Sequence, residues 1–346
     1  MTINWKALAD ALTHASRVVL TTHVDPDGDA MGALLGLGRA LRLHGVPTRL
    51  LAPGAVSPFW RFLPEYEQLS PTNGSTPQEL REDDVLVVLD APTLSRSVPL
   101  LLDQHTLVVN IDHHTTNDGF GHVHAVDPSA AATCELVALF LTETGLPVDK
   151  GVATCLMVGL VTDTHCFRTS SVTSRTLRVG ARLVDAGAPL SHIVEQVFLN
   201  KSLTTLRLWG MALNSLQARN GVVWTAVTQG MLDACNATMG DVEGLVDLLA
   251  SVREAEAALL FKEGRDHVKV SLRTSGRVDA GQIAAVFQGG GHPRAAGCSV
   301  RGTLRQAEEQ VLPVIFATIA GTNHRANGHQ GQPPGPDAVT GELEAS

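Results

Sequence analysis

Residues 23 to 29 read His-Val-Asp-Pro-Asp-Gly-Asp, which sets three carboxylates and one imidazole inside seven positions. Donors at that density suit divalent cations, because crowded carboxylates repel one another until a bound cation relieves them. Side chains alternate along an extended segment, so His23, Asp25, Asp27 and Asp29 would share one face. Taken alone the same residues also satisfy turn chemistry, since Asp, Pro and Gly favour turns for purely local reasons.

The flanking pattern decides where these donors sit. Residues 17–22, Arg-Val-Val-Leu-Thr-Thr, are β-branched and apolar and read as a buried strand, and Pro26 opens a helical pattern over 26–44 through Met31, Leu34, Leu35, Leu37 and Leu41. The acids therefore follow a strand's carboxyl end, the edge at which open α/β sheets bind ligands, beside a helix N-terminus whose amides suit phosphate. Other apolar segments end the same way: 85–89 in Asp90, 107–111 in Asp112-His113-His114, and 157–162 in Asp163. Each acid alone reads as a cap or a turn residue. Together, at the ends of neighbouring parallel strands, His23, Asp27, Asp29, Asp90, His113, His114 and Asp163 would converge on one cleft.

Alternating strand and helix signals over residues 1–190, with strands at 17–22, 48–52, 85–91 and 106–111 and helices at 26–44, 129–144 and 150–162, imply an α/β domain built on a parallel sheet. Residues 191–216 read as a helical linker, and 217–321 as a smaller mixed α/β domain. From 322 to 346 apolar residues thin out among Asn, His, Gln, Gly and Pro, the composition of a disordered tail, in which His324 and His329 are incidental. A chain of 346 residues with 44% apolar content is expected to hold about two domains. It lacks the run of roughly 20 apolar residues that spans a bilayer, and its first residues lack a signal peptide's pattern, so a cytoplasmic protein without a membrane partner is expected. The five cysteines are scattered without a C-x-x-C pair and read as reduced core thiols. The net charge of −9 argues against a broad grip on long duplex nucleic acid, so a nucleic-acid substrate should be small.

In the second domain, Ser271 and Arg273 alternate on a strand and share a face, where a guanidinium can grip phosphate bidentately. The loop Gly289-Gly290-Gly291-His292-Pro293-Arg294-Ala295-Ala296-Gly297 allows close backbone approach to a ligand, with His292 and Arg294 as added donors. A flexible glycine loop is the plain alternative.

These motifs, in this order, resemble those of the DHH phosphoesterases: His23 to Gly32, the lone Asp90, Asp112-His113-His114 and Thr162-Asp163-Thr164, followed by the Ser271-Leu272-Arg273-Thr274 strand and the glycine loop of the DHH-associated C-terminal domain. The resemblance covers roughly residues 15 to 320 and is strongest to the nanoRNase / pAp-phosphatase branch of bifunctional oligoribonucleases. It implies one cation on His23, Asp27 and Asp90 and a second on Asp29, Asp90, His113 and Asp163, with Asp90 bridging. A set of carboxylates and imidazoles suits two Mn2+, with Mg2+ or Co2+ as substitutes. Asp25 and Asp112 would support the ligands, and Asp90 and His114 would act in catalysis, His114 at a phosphoryl oxygen or the leaving group. Ser271, Arg273, Gly290, Gly291, His292 and Arg294 would bind substrate, with Arg168 a further candidate for phosphate. The expected partners are short oligonucleotides or mononucleotide bisphosphates, with a homodimer left open.

The reaction this implies is two-metal hydrolysis of very short oligonucleotides to mononucleotides, together with dephosphorylation of 3′-phosphoadenosine 5′-phosphate. A cyclic di-AMP or pApA phosphodiesterase would share every metal residue, and a nucleotide sensor that has lost catalysis is an alternative of another class. A long-strand exonuclease and a family-II pyrophosphatase fit less well. The chain departs from the family after Asp163, where His165-Cys166-Phe167 stands in place of a glycine before the aromatic.

Overall fold

The computed structural model describes residues 3–54, 56–72, 78–97, 100–101 and 105–327. Of the tail expected over 322–346, residues 328–346, His329 included, lie outside them. The chain divides into two compact units, 1–200 and 201–346. No described helix is long and apolar enough to cross a membrane.

The first unit runs α1 (Trp5–Thr13), β1 (Arg17–Thr22), α2 (Gly28–Leu43), β2 (Thr48–Ala52), β3 (Leu69–Pro71), β4 (Gln78–Glu79), β5 (Asp84–Leu89), β6 (Leu100–Leu101), β7 (Leu107–Asp112), β8 (Val123–Val126), α3 (Thr133–Thr144), α4 (Lys150–Asp163), α5 (Ser174–Asp185) and α6 (Leu190–Val194). Six strands form one sheet in the order β3-β2-β1-β5-β7-β8, all parallel. The order runs outward in both directions from the β1/β5 pair, so the topological switch point lies there. In such sheets the crevice beyond the carboxyl ends at the switch point holds ligand. Thr22 pairs with Leu89 and Leu89 with Ile111, which brings the residues after β1, β5 and β7 to a common level.

Side-chain alternation sorts the strands onto two cores. Val18, Leu20, Val85, Val87 and Leu89 join the large core beneath the helices, whereas Val19, Leu86 and Val88 join a smaller cluster with Leu51, Ala91 and Val108 on the other face. Helices α2 and α4 pack at unusually close range. A Cβ at Gly32 would lie 3.0 Å from both the Gly159 amide and the Cys134 sulfur, so only glycine permits the approach. Arg39 of α2 locks the same pair from the solvent side. It bonds Asp149, the N-cap of α4, and also Glu65.

The strands at 17–22 and 48–52 match expectation, and those at 85–91 and 106–111 shift by a residue or two. Two of the predicted helices begin later than their patterns, α2 at Gly28, with Asp27 rather than Pro26 at its start, and α3 at Thr133 rather than 129, while α4 starts at Lys150 as expected. Asp163 ends a helix and not a strand.

The second unit holds α7 (Leu203–Asn214), β9 (Gln217–Arg219), β10 (Val222–Val227), α8 (Gln229–Cys235), α9 (Leu245–Ala250), β11 (Ala257–Glu263), β12 (His267–Thr274), α10 (Ala280–Val286), β13 (Gly290–His292), β14 (Ala295–Arg301) and α11 (Leu304–Asn327). Its mixed sheet has the order β13-β14-β12-β11-β10-β9, in which only β10 and β11 are parallel. One face packs on α10 and α11 through Leu259, Phe261, Val270, Ile283, Val311 and Ile315. The other packs on α7, α8 and α9 through Leu260, Leu208, Leu232 and Leu249. Helix α11 runs on through 322–327, which composition alone assigns to the tail, because a helix packed along its first turns propagates cheaply beyond them.

Candidate metal centre

Three neighbouring strands and two helices deliver the acids. His23 follows β1, Asp90 follows β5, and Asp112 ends β7 with His113 and His114 directly after it. Asp29 projects from the first turn of α2, and Asp163 from the last turn of α4, carried into the same crevice by the close α2–α4 packing. A Cβ at Gly159 would stand 2.5 Å from Asp29 Oδ1 and 2.9 Å from its Cα. The glycine therefore leaves the space that the Asp29 carboxylate fills.

Asp90 lies at the centre. Its Oδ2 is 3.5 Å from His23 Nε2, and its Oδ1 is 3.6 Å from His113 Nε2 and 3.8 Å from His114 Nδ1. His113 Nε2 also lies 3.2 Å from Asp163 Oδ2 and 3.9 Å from Asp29 Oδ2, while His23 Nε2 is 4.0 Å from Asp27 Oδ1. Three sets of donor atoms each fall within 4.8 Å of one another: His23/Asp27/Asp90, Asp29/His113/Asp163 and Asp90/His113/His114. The first two match the sets expected for the two cations, apart from Asp90 in the second. The third brings in His114, which the resemblance assigned to catalysis.

The imidazoles are held in ligating orientation by their other nitrogens. Nδ1 of His113 is 3.3 Å from the Ala130 carbonyl and Nδ1 of His23 is 2.7 Å from that of Val24, so each ring places its proton on Nδ1 and turns Nε2 toward the acids. Nδ1 of His114 instead bonds Asp112 Oδ1 at 2.7 Å. Asp112 is fully buried, and Asn117 Nδ2 donates to its Oδ2 at 2.6 Å. Asp112 thus supports His114 rather than reaching the cluster's centre.

The electrostatics are those of a cavity demanding positive charge. Burial pushes the His23 pKa down, yet the Asp90 hydrogen bond and the charges of Asp27 and Asp90 outweigh it and lift the value to about 9. His113 moves the same way, burial being overcome by Asp163, Asp90 and Asp29, and so does His114 through Asp112 and Asp90. The carboxylates split. Burial opposes charge on Asp90, but the surrounding imidazoles hold it well below the ordinary carboxylate range. Burial and neighbouring acids push Asp29 well above that range, and burial lifts Asp163 to about 6 against the His113 bond.

One expectation changes here. Asp25 does not share the face of His23 and Asp27: its backbone is left-handed at φ 55°, which breaks the alternation of an extended segment, and its side chain is exposed. The His165 ring lies against Phe198, with centroids 6.4 Å apart. His165, Cys166 and Phe167 are all left-handed, at φ 46°, 61° and 61°, the conformation in which a glycine costs least. Arg168 is exposed on the same turn.

In the second unit, Ser271 pairs with Gly297 and Gly297 with Gly290, while Ala295 lies between Arg273 and His292. Gly291 has φ 141°, and a Cβ there would lie 2.5 Å from the Ala295 carbonyl oxygen, so the strand β13 requires glycine at that position. The glycines therefore form a tight hairpin edge instead of a flexible loop. Arg294 is exposed. Arg273, expected to present its guanidinium to phosphate, gives its Nε to Asp247 of α9 at 2.7 Å. The His292 side chain lies outside what the structure describes.

Sequence reasoning missed Thr133. Its amide donates to Asp29 Oδ2 at 2.5 Å, its hydroxyl to Asp90 Oδ1 at 2.9 Å, and the next amide, Cys134 N, to Asp29 Oδ1 at 2.9 Å. One signal was available: the helix begins after Ala130-Ala131-Ala132, residues that cannot cap it.

The N-terminal domain of the DHH family matches residues 17–160, and the DHHA1 domain matches residues 225–321. A bifunctional oligoribonuclease and PAP phosphatase, NrnA of Thermus thermophilus, is 36% identical over 299 residues, covering 86% of this chain and 89% of its own length. The chain belongs to the DHH family. As a DHH protein with a DHHA1 domain, it is a hydrolase acting on phosphoester bonds. A solved exopolyphosphatase-related protein of Bacteroides fragilis superposes with a TM-score of 0.83 at 24% identity, covering 93% of this chain and 97% of that one. RecJ of Thermus thermophilus, solved in complex with Mn2+, gives a TM-score of 0.52 at 16% identity, covering 92% of this chain and 54% of RecJ. Both share the DHH protein's fold.

Proposed function

We propose that this DHH protein hydrolyses very short oligonucleotides to mononucleotides and removes a phosphate from 3′-phosphoadenosine 5′-phosphate, using two divalent cations. The observation that carries the metal reading is the position of Asp90, within 3.6 Å of imidazoles from two different strands and shared by two donor clusters. The donor set, buried apart from the exposed Asp27, fits such ions: carboxylates with imidazoles whose Nε2 atoms face them, at a level of mutual repulsion that positive charge relieves. His23, Asp27 and Asp90 would hold one ion, and Asp29, Asp90, His113 and Asp163 the other, with manganese as the favoured metal and magnesium or cobalt as substitutes. When bound, such a pair lowers the pKa of a shared water and offsets charge on the phosphoryl oxygens.

The chain's own groups do the rest. His114, oriented and made more basic by Asp112, would contact a phosphoryl oxygen or hand a proton to the leaving oxygen. The second unit would recognise the nucleotide through Ser271, the amides of Gly290 and Gly291, and Arg273, Arg294 and His292. The short-substrate reading is supported by the activity for which the Thermus thermophilus NrnA is named and by the chain's net charge of −9. Comparison of kcat/KM for pApA, 3′-phosphoadenosine 5′-phosphate, cyclic di-AMP and a longer oligomer in Mn2+ tests it. The dinucleotide and the bisphosphate should lead. A longer oligomer ahead of both would refute the size argument, and cyclic di-AMP ahead would move the chain to the cyclic-dinucleotide class.

A further inference from the structure

Helix α3 lacks a capping side chain of its own. Ala132 occupies the N-cap position and can accept nothing from the first amides, which would otherwise stand buried without partners. A carboxylate more than a hundred residues earlier in the chain supplies the cap: Asp29 accepts from Thr133 N through Oδ2 and from Cys134 N through Oδ1. The same Thr133 then turns its hydroxyl to Asp90 Oδ1. Thr133 and Cys134 are both fully buried, and Gly159 closes the space around the pair, its missing Cβ being what admits Asp29.

From this we infer that Thr133 is a positioning residue that couples the two cation sites. Its backbone fixes an acid of the second set and its hydroxyl fixes the acid shared by both. The inference rests on the two-cation reading above. A carboxylate with one oxygen pinned by a hydroxyl cannot rotate freely, so its remaining lone pairs stay aimed at His23 and His113. Residues that orient a metal ligand in this way typically change affinity by roughly 10–100-fold when removed. The Thr133 amide bonds survive any side-chain change, so a substitution isolates the hydroxyl.

The test compares wild type, Thr133→Val, Thr133→Ala and Thr133→Ser. Free Mn2+ during titration of the metal-stripped protein is followed by electron paramagnetic resonance, and folding is checked by circular dichroism. Thr133→Val and Thr133→Ala should weaken Mn2+ binding by about 10–100-fold, and the Mn2+ concentration for half-maximal turnover should rise in step. Thr133→Ser should bind within a few-fold of wild type. Wild-type affinity in folded Thr133→Val or Thr133→Ala overturns the inference, as does a Thr133→Ser protein as weak as Thr133→Ala. If valine prevents folding, the alanine and serine pair decides. A wild-type protein that binds no Mn2+ overturns the metal reading itself, a result distinct from equal binding by all four proteins.

Discussion

The acid cluster of the first unit and the glycine hairpin of the second are built on opposite plans. In the cluster the central acids are buried and tied down, while Asp27 at the rim is 60% exposed and held as the cap of α2. Asp29, Asp90 and Asp112 are at most 2% exposed, and each carboxylate accepts at least one bond from an amide, a hydroxyl or an imidazole. At the hairpin the backbone is fixed by strand pairing, whereas Arg294 is exposed and Arg273 is held by a half-exposed partner. Under the proposed function, the difference follows from the work each region would do. A cation tolerates little error in donor position, so its ligands need a buried, pre-oriented shell. A phosphate or a base is gripped by long side chains that tolerate adjustment and keep solvent access until the ligand arrives.

The largest effect should come from removing the shared carboxylate. Asp90→Ala should lower kcat by at least about a thousandfold, as expected when metal-assisted activation of water is lost. It should also abolish tight binding of one Mn2+, while leaving nucleotide binding by the second unit measurable. Equal turnover in the mutant would break the assignment of Asp90 as the bridge.

Next in size is the response to pH. Without metal, His23 holds its proton up to about 9 and Asp163 up to about 6, and both must lose it to become ligands. Raising the pH through 6 to 9 therefore removes competing protons and favours the metal-bound form. Apparent Mn2+ affinity should rise with pH across this range, by about tenfold per unit for each proton displaced. Calorimetry in buffers of different ionisation enthalpy would count the protons released. An affinity that stays flat across this range contradicts a cavity in which histidine protons and metal compete.

Much of this was legible in the chain. The β-branched runs at 17–22 and 107–111 are unambiguous strands, and their terminal acids point to a common edge because parallel strands end together. Three features were not. Asp163 ends the helix expected over 150–162, and its arrival among acids that follow strands depends on the close α2–α4 packing, which residue type does not announce. The left-handed backbone at Asp25 and Asp90 is a tertiary requirement, since neither residue type demands φ near 55°. The Asp29–Thr133 bond joins a side chain to a backbone amide, and an amide leaves no trace in residue type. Glycines 32 and 159 were visible only as glycines; the reason for them appears once α2 and α4 are seen to cross there.

That crossing gives the third test. Gly159→Ala would place a methyl group against the Asp29 carboxylate and its Cα, and overpacking of this kind costs about 1–3 kcal/mol. Denaturant melts of the metal-free protein should register that loss, and Mn2+ affinity should fall with it, because the displaced carboxylate belongs to the second donor set. A protein destabilised to this extent but unchanged in Mn2+ binding would show that Asp29 caps α3 and does no more.

The smallest effects belong to the second unit, and they sharpen the contrast. The Arg273–Asp247 pair is 25% and 34% exposed, and partly solvated pairs contribute about 1 kcal/mol or less to stability. Arg273→Ala should therefore leave the melting curve almost unmoved. It should raise KM for a short oligonucleotide by about tenfold, the loss of one charge-assisted contact, with Mn2+ affinity unchanged. Asp247→Asn separates two roles for the pair. If Asp247 orients the guanidinium, its loss frees the head and raises KM by less than Arg273→Ala does. If Asp247 competes with phosphate for Nε, its loss lowers KM. The alternation of β12 puts Leu272 in the core and Arg273 on the α9 face, so the guanidinium can reach substrate only by a defined path along that face. A side chain so constrained benefits more from a fixed partner than from freedom, and KM should rise.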